Sequence, residues 1–371
     1  MAFPFPVREA TEGAARLLVT DVPRRKGPGT KGPWPFYNPT MAVNRDMSGI
    51  VLERWPVRIR STLDGLAASG AWGIRMALEA DLHGVTLNDR SSAATDLARE
   101  NVRRNGIDAV VTTRDLATQL RSESYDFVDI DPFGPPAPFL DAAFESARPG
   151  SGLGITATDT AALCGTYPET CRRRYGARSL RCDQGAEIGV RVLLGYCAKV
   201  AEDHGKAIDP MVCFAAAHFL RLLVRVRSFH RPAPVGWLDR VSAGEFRVLA
   251  GPGQDAIGPL WTGALCGSDL VLRLTPSPWT QGTTGRLLST IQGEVGLPPF
   301  FVTTDELAAR ERGSPPKLDR FFEGLREIGY RAARTHFHPR GVRTNAPYAD
   351  LIRVFRERMP NGSTDGSRPA S

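Results

Sequence analysis

The segment Gly84–Gly106, GVTLNDRSSAATDLARENVRRNG, predicts one β-strand followed directly by one α-helix. Its first residues are the apolar and β-branched types of a buried strand, which ends at the acid Asp89. Two serines then occupy the place where a helix N-cap is preferred, and Gly106 stands where the helix ends. A strand that leads into a helix in this way is the building unit of parallel, doubly wound α/β sheets.

The same unit recurs through the first half of the chain. Further strands are predicted at LDGLA from Leu63, at Asp108–Asp115, at Tyr125–Asp131 and at Gly152–Thr160, and further helices at Ile74–Asp81, Pro136–Gly150 and Gly185–Asp203. This alternation predicts an α/β fold with a Rossmann-like, doubly wound sheet, whose ligand site lies at the carboxyl ends of its strands.

Composition changes at both ends of this α/β segment. Residues 1 to about 60 are rich in Pro, Gly and Arg and are predicted to be irregular; the basic run Pro23–Pro39 fits either a solvated arm or a nucleic-acid contact. A shift near Phe229 predicts a first domain over 1–229 with this basic arm, a smaller α+β domain over 230–359, and a disordered tail over 360–371. In the smaller domain, TTDELAARERG and KLDRFFEGLREIGY have the spacing of amphipathic helices.

Bulk composition narrows the class of protein. The 371 residues carry a formal net charge of +7, mostly through arginine, which fits a nucleic-acid partner or a merely basic enzyme. Six cysteines without a CxxC pair favour reduced thiols and a cytoplasmic location. No apolar stretch approaches the roughly 20 residues that span a bilayer, so no membrane association is expected.

Acids stand at the predicted tips of two neighbouring strands. Asp89 ends the second strand, where a doubly wound fold binds the hydroxyls of a ribose, although a cap for the following helix is the alternative. Asp115 ends the third strand and could meet an adenine amino group or could be an ordinary turn acid. Between the first strand and its helix, DGLAASGAWG supplies glycines, among them Gly70, where backbone must approach a ligand closely.

The fourth strand ends in DIDPFG, Asp129–Gly134. Proline stops strand pairing, so the Asp131 carboxylate and the Pro132 carbonyl can both face the cleft as acceptors. Two adjacent acceptors suit an exocyclic amino group, and Phe133 offers a face on which a base can stack. The alternative is a strand-ending turn with a core phenylalanine.

These residues carry a resemblance to a known family. DPFG is similar to the [DNS]-P-P-[FYW] signature of methyltransferases that act on exocyclic amino groups. FYNPTMAVNRD at Phe36–Asp46, ATDTAALCGTYPETCRRRYGA at Ala157–Ala177 and HFHPRGVRTNAPYADL at His336–Leu351 resemble the tRNA guanine-26 N2-dimethyltransferase family in its archaeal-type short form. The resemblance covers nearly the whole chain.

The resemblance implies a class I S-adenosylmethionine-dependent methyltransferase that acts on tRNA. It places the catalytic acid at Asp131 beside Pro132. It also implies roles for two further sets of residues. The base-stacking set is Phe36 and Phe133, and the cofactor-binding set is Arg45, Asp89, Asp115, the backbone of Leu116, Gly70 and the position of Trp72.

The chain departs from the family pattern at two places. Where the family has S-G-[IVM]-R-[GA]-[IL]-R, this chain has SGAWGIR, so Trp72 replaces an arginine expected to contact cofactor, and only Arg75 remains. The four cysteines that often form a zinc ribbon at the start of the second domain are missing from RPAPVGWLDR, so no metal is predicted.

The expected reaction is transfer of one or two methyl groups to guanine N2, with the Arg- and His-rich segment Arg334–Arg343 binding the tRNA body. Three alternatives stay open at this point: another tRNA guanine, another exocyclic amino group, or a tRNA-binding or folding factor without catalysis. No obligate protein partner is implied.

Overall fold

The computed structural model describes residues 3–21, 32, 34–242 and 244–360. Most of the basic run within Pro23–Pro39 and the tail beyond Pro360 lie outside the described residues, so the predictions for them stay predictions. The strands are β1 Val7–Glu12, β2 Ala15–Thr20, β3 Thr62–Asp64, β4 Val85–Asn88, β5 Ala109–Thr112, β6 Phe127–Ile130, β7 Gly152–Ala157, β8 Lys206–Ala216, β9 Phe219–Ser228, β10 Val235–Ser242, β11 Glu245–Leu249, β12 Ile257–Trp261, β13 Val302–Thr303, β14 Ala332–Thr335 and β15 His338–Thr344. The α-helices are α1 Ala42–Glu53, α2 Ala71–Glu79, α3 Ser92–Asn105, α4 Leu116–Ser122, α5 Ala137–Ser146, α6 Thr160–Leu163, α7 Pro168–Tyr175, α8 Gly185–Asp203, α9 Ser268–Val271, α10 Gly282–Glu294, α11 Thr304–Glu311, α12 Leu318–Glu327 and α13 Tyr348–Arg358.

The central sheet has the strand order β5, β4, β3, β6, β7, β9, β8. Strands β3 to β7 run parallel, whereas β9 lies antiparallel to both of its neighbours. From β3 the chain builds outward through β4 and β5, and it then crosses to β6 on the other side of β3. The crevice at the carboxyl ends of β3 and β6 is therefore the topological switch point, where ligands bind in such sheets.

The predicted strand and helix within Gly84–Gly106 are confirmed as β4 and α3. The Ser91 hydroxyl caps the helix by accepting from the Ala94 amide, and Gly106 ends it with a φ of +62°. That left-handed conformation favours glycine because other residues suffer a steric penalty there. Helix α4, between β5 and β6, was not predicted from the sequence.

The prediction that residues 1 to about 60 are irregular is wrong for the part that the structure describes. β1 and β2 form an antiparallel hairpin, and Ala42–Glu53 is helical. Leu17 and Val19 of β2 are buried, and the charged groups of this segment are used internally, since Glu12 pairs with Arg45 and Arg75. A composition rich in Pro, Gly and Arg does not reveal such long-range pairing.

From the sequence alone, Arg221, Arg225 and Arg227 in the apolar run Met211–Phe229 are expected on an exposed strand or helix face rather than in direct RNA contact. For Arg221 this expectation is wrong. Arg221 lies on β9 and is fully buried, with its guanidinium against the Asp129 carboxylate of β6. Arg225 and Arg227, which were grouped with it, pair instead with the partly exposed Asp209.

The chain after Phe229 contributes to more than one core. Leu238, Leu260 and Trp261 pack into the same cluster as the buried face of α8, and Leu288 of α10 packs with the cluster around α1. A separate core near the carboxyl end contains residues such as Phe321, Leu325 and Phe355. The two predicted helices are α11 and α12, whereas the domain boundary near Phe229 stays a prediction.

Within the described residues, no helix has both the length and the apolar character needed to cross a membrane.

Candidate active site

A cleft of about 560 Å³ opens at the carboxyl ends of the parallel strands. Its volume lies within the usual range for small-molecule sites. Nine of the ten site residues predicted from the sequence line it, namely Phe36, Arg45, Trp72, Asp89, Asp115, Leu116, Asp131, Pro132 and Phe133. The tenth residue, Gly70, does not line the cleft; it is buried at the N-cap of α2 with a φ of +77°.

The Asp89 carboxylate is half-buried just beyond β4 and ties two loops together. One oxygen accepts from the Ser91 amide at 2.9 Å, and the other accepts from the Ala68 amide at 3.0 Å. Ser91, not Asp89, supplies the side-chain cap of α3. Since an ionised carboxylate offers about four acceptor positions, Asp89 keeps acceptor capacity towards the cleft.

Asp115 is the N-cap of α4. Its Oδ1 accepts from the amides of Ala117 and Thr118 at 3.0 and 3.3 Å. Asp115 therefore caps a helix, a role that the sequence did not predict for this acid, and both of these bonds end on the same oxygen. The next residue, Leu116, begins the helix, and first-turn amides have no partner within their own helix. A carboxylate and a helix-start amide thus lie side by side.

Arg45 on α1 lines the cleft, and its side chain is held by residues outside α1. Its guanidinium donates to both Glu12 oxygens, at 2.5 and 2.7 Å, and to the Asn38 carbonyl at 2.9 Å. Burial alone would raise the pKa of Glu12, but the hydrogen bond and charge of Arg45 hold it below its ordinary value. The Tyr37 hydroxyl also donates to Glu12. Arg45 is therefore fixed as a cation at the wall of the cleft.

Trp72 takes the place of the arginine that the family pattern has. Its ring is buried and stacks on Phe127, with ring centroids 5.9 Å apart and an interplanar angle of 14°. Its Nε1 has no hydrogen-bond partner in the described part of the chain. The remaining arginine of the motif, Arg75, is fully buried and bonded to Glu12, Asp46 and Glu79. At this position the chain therefore has a packed aromatic ring where the family pattern has a cationic side chain.

Three carboxylates converge at the switch point. Burial raises the pKa of Asp129 to about 6, with repulsion from Asp131 added, although the Arg221 charge opposes both. Burial and the neighbouring Asp129 raise the pKa of Asp64 well above its ordinary range. Burial likewise raises the pKa of Asp131, against the attraction of Arg221 and Arg45. Clustered carboxylates with raised pKa values are typical of functional sites.

Phe36 and Phe133 meet across the mouth of the cleft. Their ring centroids lie 4.6 Å apart at an interplanar angle of 66°, although the two residues belong to distant parts of the sequence. The turn that carries Phe133 is anchored by the Gly134 amide, which donates to the Thr158 hydroxyl at 2.7 Å. A base can lie between the two rings only if they separate.

Sequence reasoning missed three residues behind Asp131: Asn44, Thr156 and Arg221. The Asn44 amide donates to Asp131 and to Thr156, at 3.3 Å in both cases. A signal existed for Arg221, since an arginine within an apolar strand is rarely buried unless it is paired. The sequence does not reveal its partner.

The segment predicted to bind tRNA is only partly available. Arg334 and Arg340 have exposed side chains, in ion pairs with Asp319 and Asp305. In contrast, His336 is buried against Glu294, and Arg343 is buried against Glu187. Among the described residues, no group of three or more His, Cys, Asp or Glu side chains could hold a metal.

Most of the chain matches a solved structure. Trm1 from Pyrococcus horikoshii, in complex with S-adenosyl-L-methionine, matches with a TM-score of 0.81 and 32% identity, over 95% of this chain and 99% of that one. The fold is therefore that of an S-adenosylmethionine-dependent methyltransferase.

Sequence comparison identifies the family. The family model described as N2,N2-dimethylguanosine tRNA methyltransferase matches residues 14–233 and 243–356. A tRNA (guanine(26)-N(2))-dimethyltransferase of Methanospirillum hungatei is 36% identical over 92% of this chain and 97% of its own length. The enzyme of that name from Thermococcus kodakarensis is 34% identical over 93% and 98%. The chain belongs to this family of tRNA methyltransferases, as the sequence motifs predicted.

Proposed function

We propose that this chain transfers one or two methyl groups from S-adenosylmethionine to the exocyclic N2 of guanine 26 in tRNA. The observation that carries the proposal is the Asp131–Pro132–Phe133 turn, which faces Phe36 at the mouth of a cleft that also contains Asp89 and Asp115. Family membership supports both the cofactor and the class of substrate.

The hydrogen-bonding and charged groups that line the cleft fit the cofactor. Asp89 can accept from the ribose hydroxyls, Asp115 from the adenine amino group, and the Leu116 amide can donate to an adenine ring nitrogen. Arg45 adds a fixed positive charge suited to a carboxylate. When bound, S-adenosylmethionine supplies a methyl group on a positively charged sulfur, which leaves as a neutral thioether.

Asp131 and Pro132 act on the amino group. Guanine N2 is a weak nucleophile because its lone pair is delocalised into the purine. Acceptors at the Asp131 carboxylate and the Pro132 carbonyl orient its two N–H bonds and leave the lone pair directed at the methyl group. As the N–C bond forms, Asp131 stabilises the positive charge on nitrogen and takes the released proton.

Phe36 and Phe133 hold the base. A guanine inside the tRNA cannot reach the cleft while it is stacked, so it flips out and separates the two rings. Stacking on each ring contributes about 1–3 kcal/mol. The exposed arginines Arg334 and Arg340 are available for phosphate contacts that hold the tRNA body. A cytoplasmic location stays a prediction.

Mass spectrometry of tRNA nucleosides, after incubation with enzyme and S-adenosylmethionine, tests this proposal. We expect N2-methylated guanosine from a transcript with guanine at position 26, and its loss when that base is replaced. Unchanged methyl acceptance after the replacement would contradict the assignment and favour another guanine. Methylation of adenosine would instead indicate a different amino group.

A further inference from the structure

Thr156 is a buried polar residue that the proposed reaction does not use. It lies on β7, fully buried, directly opposite Arg221 in the antiparallel register of β7 and β9. Residues opposite each other in a sheet present their side chains on the same face. Asp131 follows β6, the other neighbour of β7, so Thr156 lies between the buried arginine and the proposed catalytic acid.

The hydrogen bonds at the Thr156 hydroxyl determine where its proton points. The Arg221 guanidinium donates to this oxygen at 3.0 Å, and the Asn44 amide donates to it at 3.3 Å. A hydroxyl has about two acceptor positions and one proton. The Arg221 guanidinium and the NH2 group of Asn44 cannot accept the proton, so it is left for the Asp131 carboxylate, which receives a bond from the same Asn44 NH2 group. The Thr156 hydroxyl acts to lower the pKa of that carboxyl.

A glycine makes room for this arrangement. Asp129 is the register partner of Gly154 on β7, two residues before Thr156 on the same face. A Cβ at Gly154 would lie 2.4 Å from an Asp129 oxygen and 2.6 Å from an Arg221 nitrogen. The ion pair that places Arg221 against Thr156 therefore depends on the absence of a side chain at Gly154.

We propose that Thr156 is a positioning residue for Asp131, and that Asn44 and Arg221 fix the direction of its hydroxyl proton. The inference rests on the proposed function, since it assigns Asp131 the role of holding the guanine amino group. Asn44 and Thr156 occupy about two of the four acceptor positions of the carboxylate, which orients the remaining ones towards the cleft.

The same bonds favour the ionised form of Asp131. Removing the Thr156 hydroxyl takes away a donor to the carboxylate, so the acid proton binds more readily and activity is lost at a higher pH on the acidic side. The charged or titratable groups around the carboxylate are Asp64 on β3, Asp129 on β6, Arg45 on α1, Arg221 on β9 and, lining the same cleft, His218. All of them are retained in a Thr156 variant, and Arg221, which loses its bond to the hydroxyl, is still held by Asp129 and Ser48, so the shift reports the hydroxyl.

Thr156→Val tests the proposal, because valine keeps the shape of threonine and lacks the hydroxyl. We expect kcat to fall about 10- to 100-fold, the effect of losing a hydrogen bond to a charged group. The KM for tRNA and for S-adenosylmethionine should stay unchanged, and the acidic limb of the kcat profile should move to higher pH. Thr156→Ser, which restores the hydroxyl, should recover most of kcat and the original profile.

Thr62→Val is the matched control. Thr62 is also fully buried on a strand of the same sheet, but its hydroxyl has no partner in the described part of the chain, and it lies at the amino end of β3. The kcat and the pH profile of Thr62→Val should equal those of the wild type. If Thr156→Val behaves like Thr62→Val in kcat and pH profile, or if Thr156→Ser remains as impaired as Thr156→Val, the inference is wrong. Failure of the proposed function would be visible separately, as full activity of Asp131→Asn.

Discussion

Two buried charged clusters flank helix α1, and they are built differently. The N-terminal ion network consists of Glu12, Arg45, Asp46, Arg75 and Glu79. The carboxylate row consists of Asp64, Asp129 and Asp131, and within the described residues its directly paired cation is Arg221.

The difference is visible in the direction of the pKa shifts. In the ion network the pKa of Glu12 is lowered, because Arg45 outweighs burial. In the carboxylate row the pKa of Asp129 is raised to about 6, because burial and Asp131 outweigh Arg221. The ion network sets two arginines against three carboxylates and holds the fold together, whereas the carboxylate row sets one arginine against three carboxylates. Such an excess of one charge in a cleft is typical of a ligand site. The N–H groups of the guanine amino group and the positive charge of the cofactor would supply the hydrogen-bond donors and the positive charge that the carboxylate row lacks.

Asp131→Asn is the change in the carboxylate row from which we expect the largest loss of activity. The amide retains the shape of the side chain but loses the charge that, in the proposed reaction, stabilises the attacking nitrogen and accepts its proton. We expect kcat to fall by about 10²- to 10⁴-fold. Binding of tRNA, measured by filter retention, should stay close to that of the wild type. Comparable losses of kcat and of tRNA binding would assign Asp131 a structural role instead.

Arg75→Met breaks the ion network. The fully buried guanidinium contacts Glu12, Asp46 and Glu79, so its removal leaves Asp46 and Glu79 without their paired cation and Glu12 with Arg45 alone. We expect the free energy of unfolding to fall by about 3–5 kcal/mol in urea titrations. Arg103→Met is the control, since Arg103 pairs with Glu100 on the exposed surface of α3, and we expect no measurable change there. Equal effects of both changes would show that the network is not buried in solution.

Asp46→Asn tests how the ion network reaches the carboxyl-terminal part of the chain. One Asp46 oxygen accepts from the Gln281 amide at 3.0 Å and from the Thr284 hydroxyl at 2.8 Å, at the start of α10. Weakening these bonds should lower the free energy of unfolding by about 1–3 kcal/mol while kcat is retained, because Asp46 does not line the cleft. A loss of kcat without loss of stability would contradict this separation of the two clusters.

The sequence predicts the core of this fold well because its signals are local. Ser91 and Gly106 bound one helix, and a strand that ends in an acid precedes it, so the β4–α3 unit can be recognised from neighbouring residues alone. The same holds for Asp131 and Phe133, which follow directly from a strand that ends in proline. The role of Phe36 came from the family resemblance, since nothing near it in sequence indicates that its ring meets Phe133.

The unpredicted features depend on register between distant strands. Arg221 is buried because β9 lies beside β7 in a register that aims its guanidinium at Asp129. The N-terminal hairpin is ordered by Glu12, whose partners Arg45 and Arg75 lie on two different helices. Local composition contains neither pairing, and for that reason it indicated an exposed face and an irregular arm.

The pH dependence of stability should separate the two clusters by its sign. The pKa of Asp129 is raised from 3.8 to about 6 in the folded protein, so its stabilising contribution is complete below about pH 4 and is lost as the pH rises to about 6. Glu12 has a lowered pKa, so its contribution is present above its ordinary value of 4.5 and is lost as the pH falls through that range.

Asp129→Asn should therefore remove a decline of about 1 kcal/mol per pH unit between about pH 4 and 6, whatever its overall effect on stability. Glu12→Gln should instead flatten the loss of stability on the acidic side. Urea titrations of both variants at a series of pH values measure these slopes, and slopes of the same sign would mean that the two clusters do not differ in the way their charges are balanced.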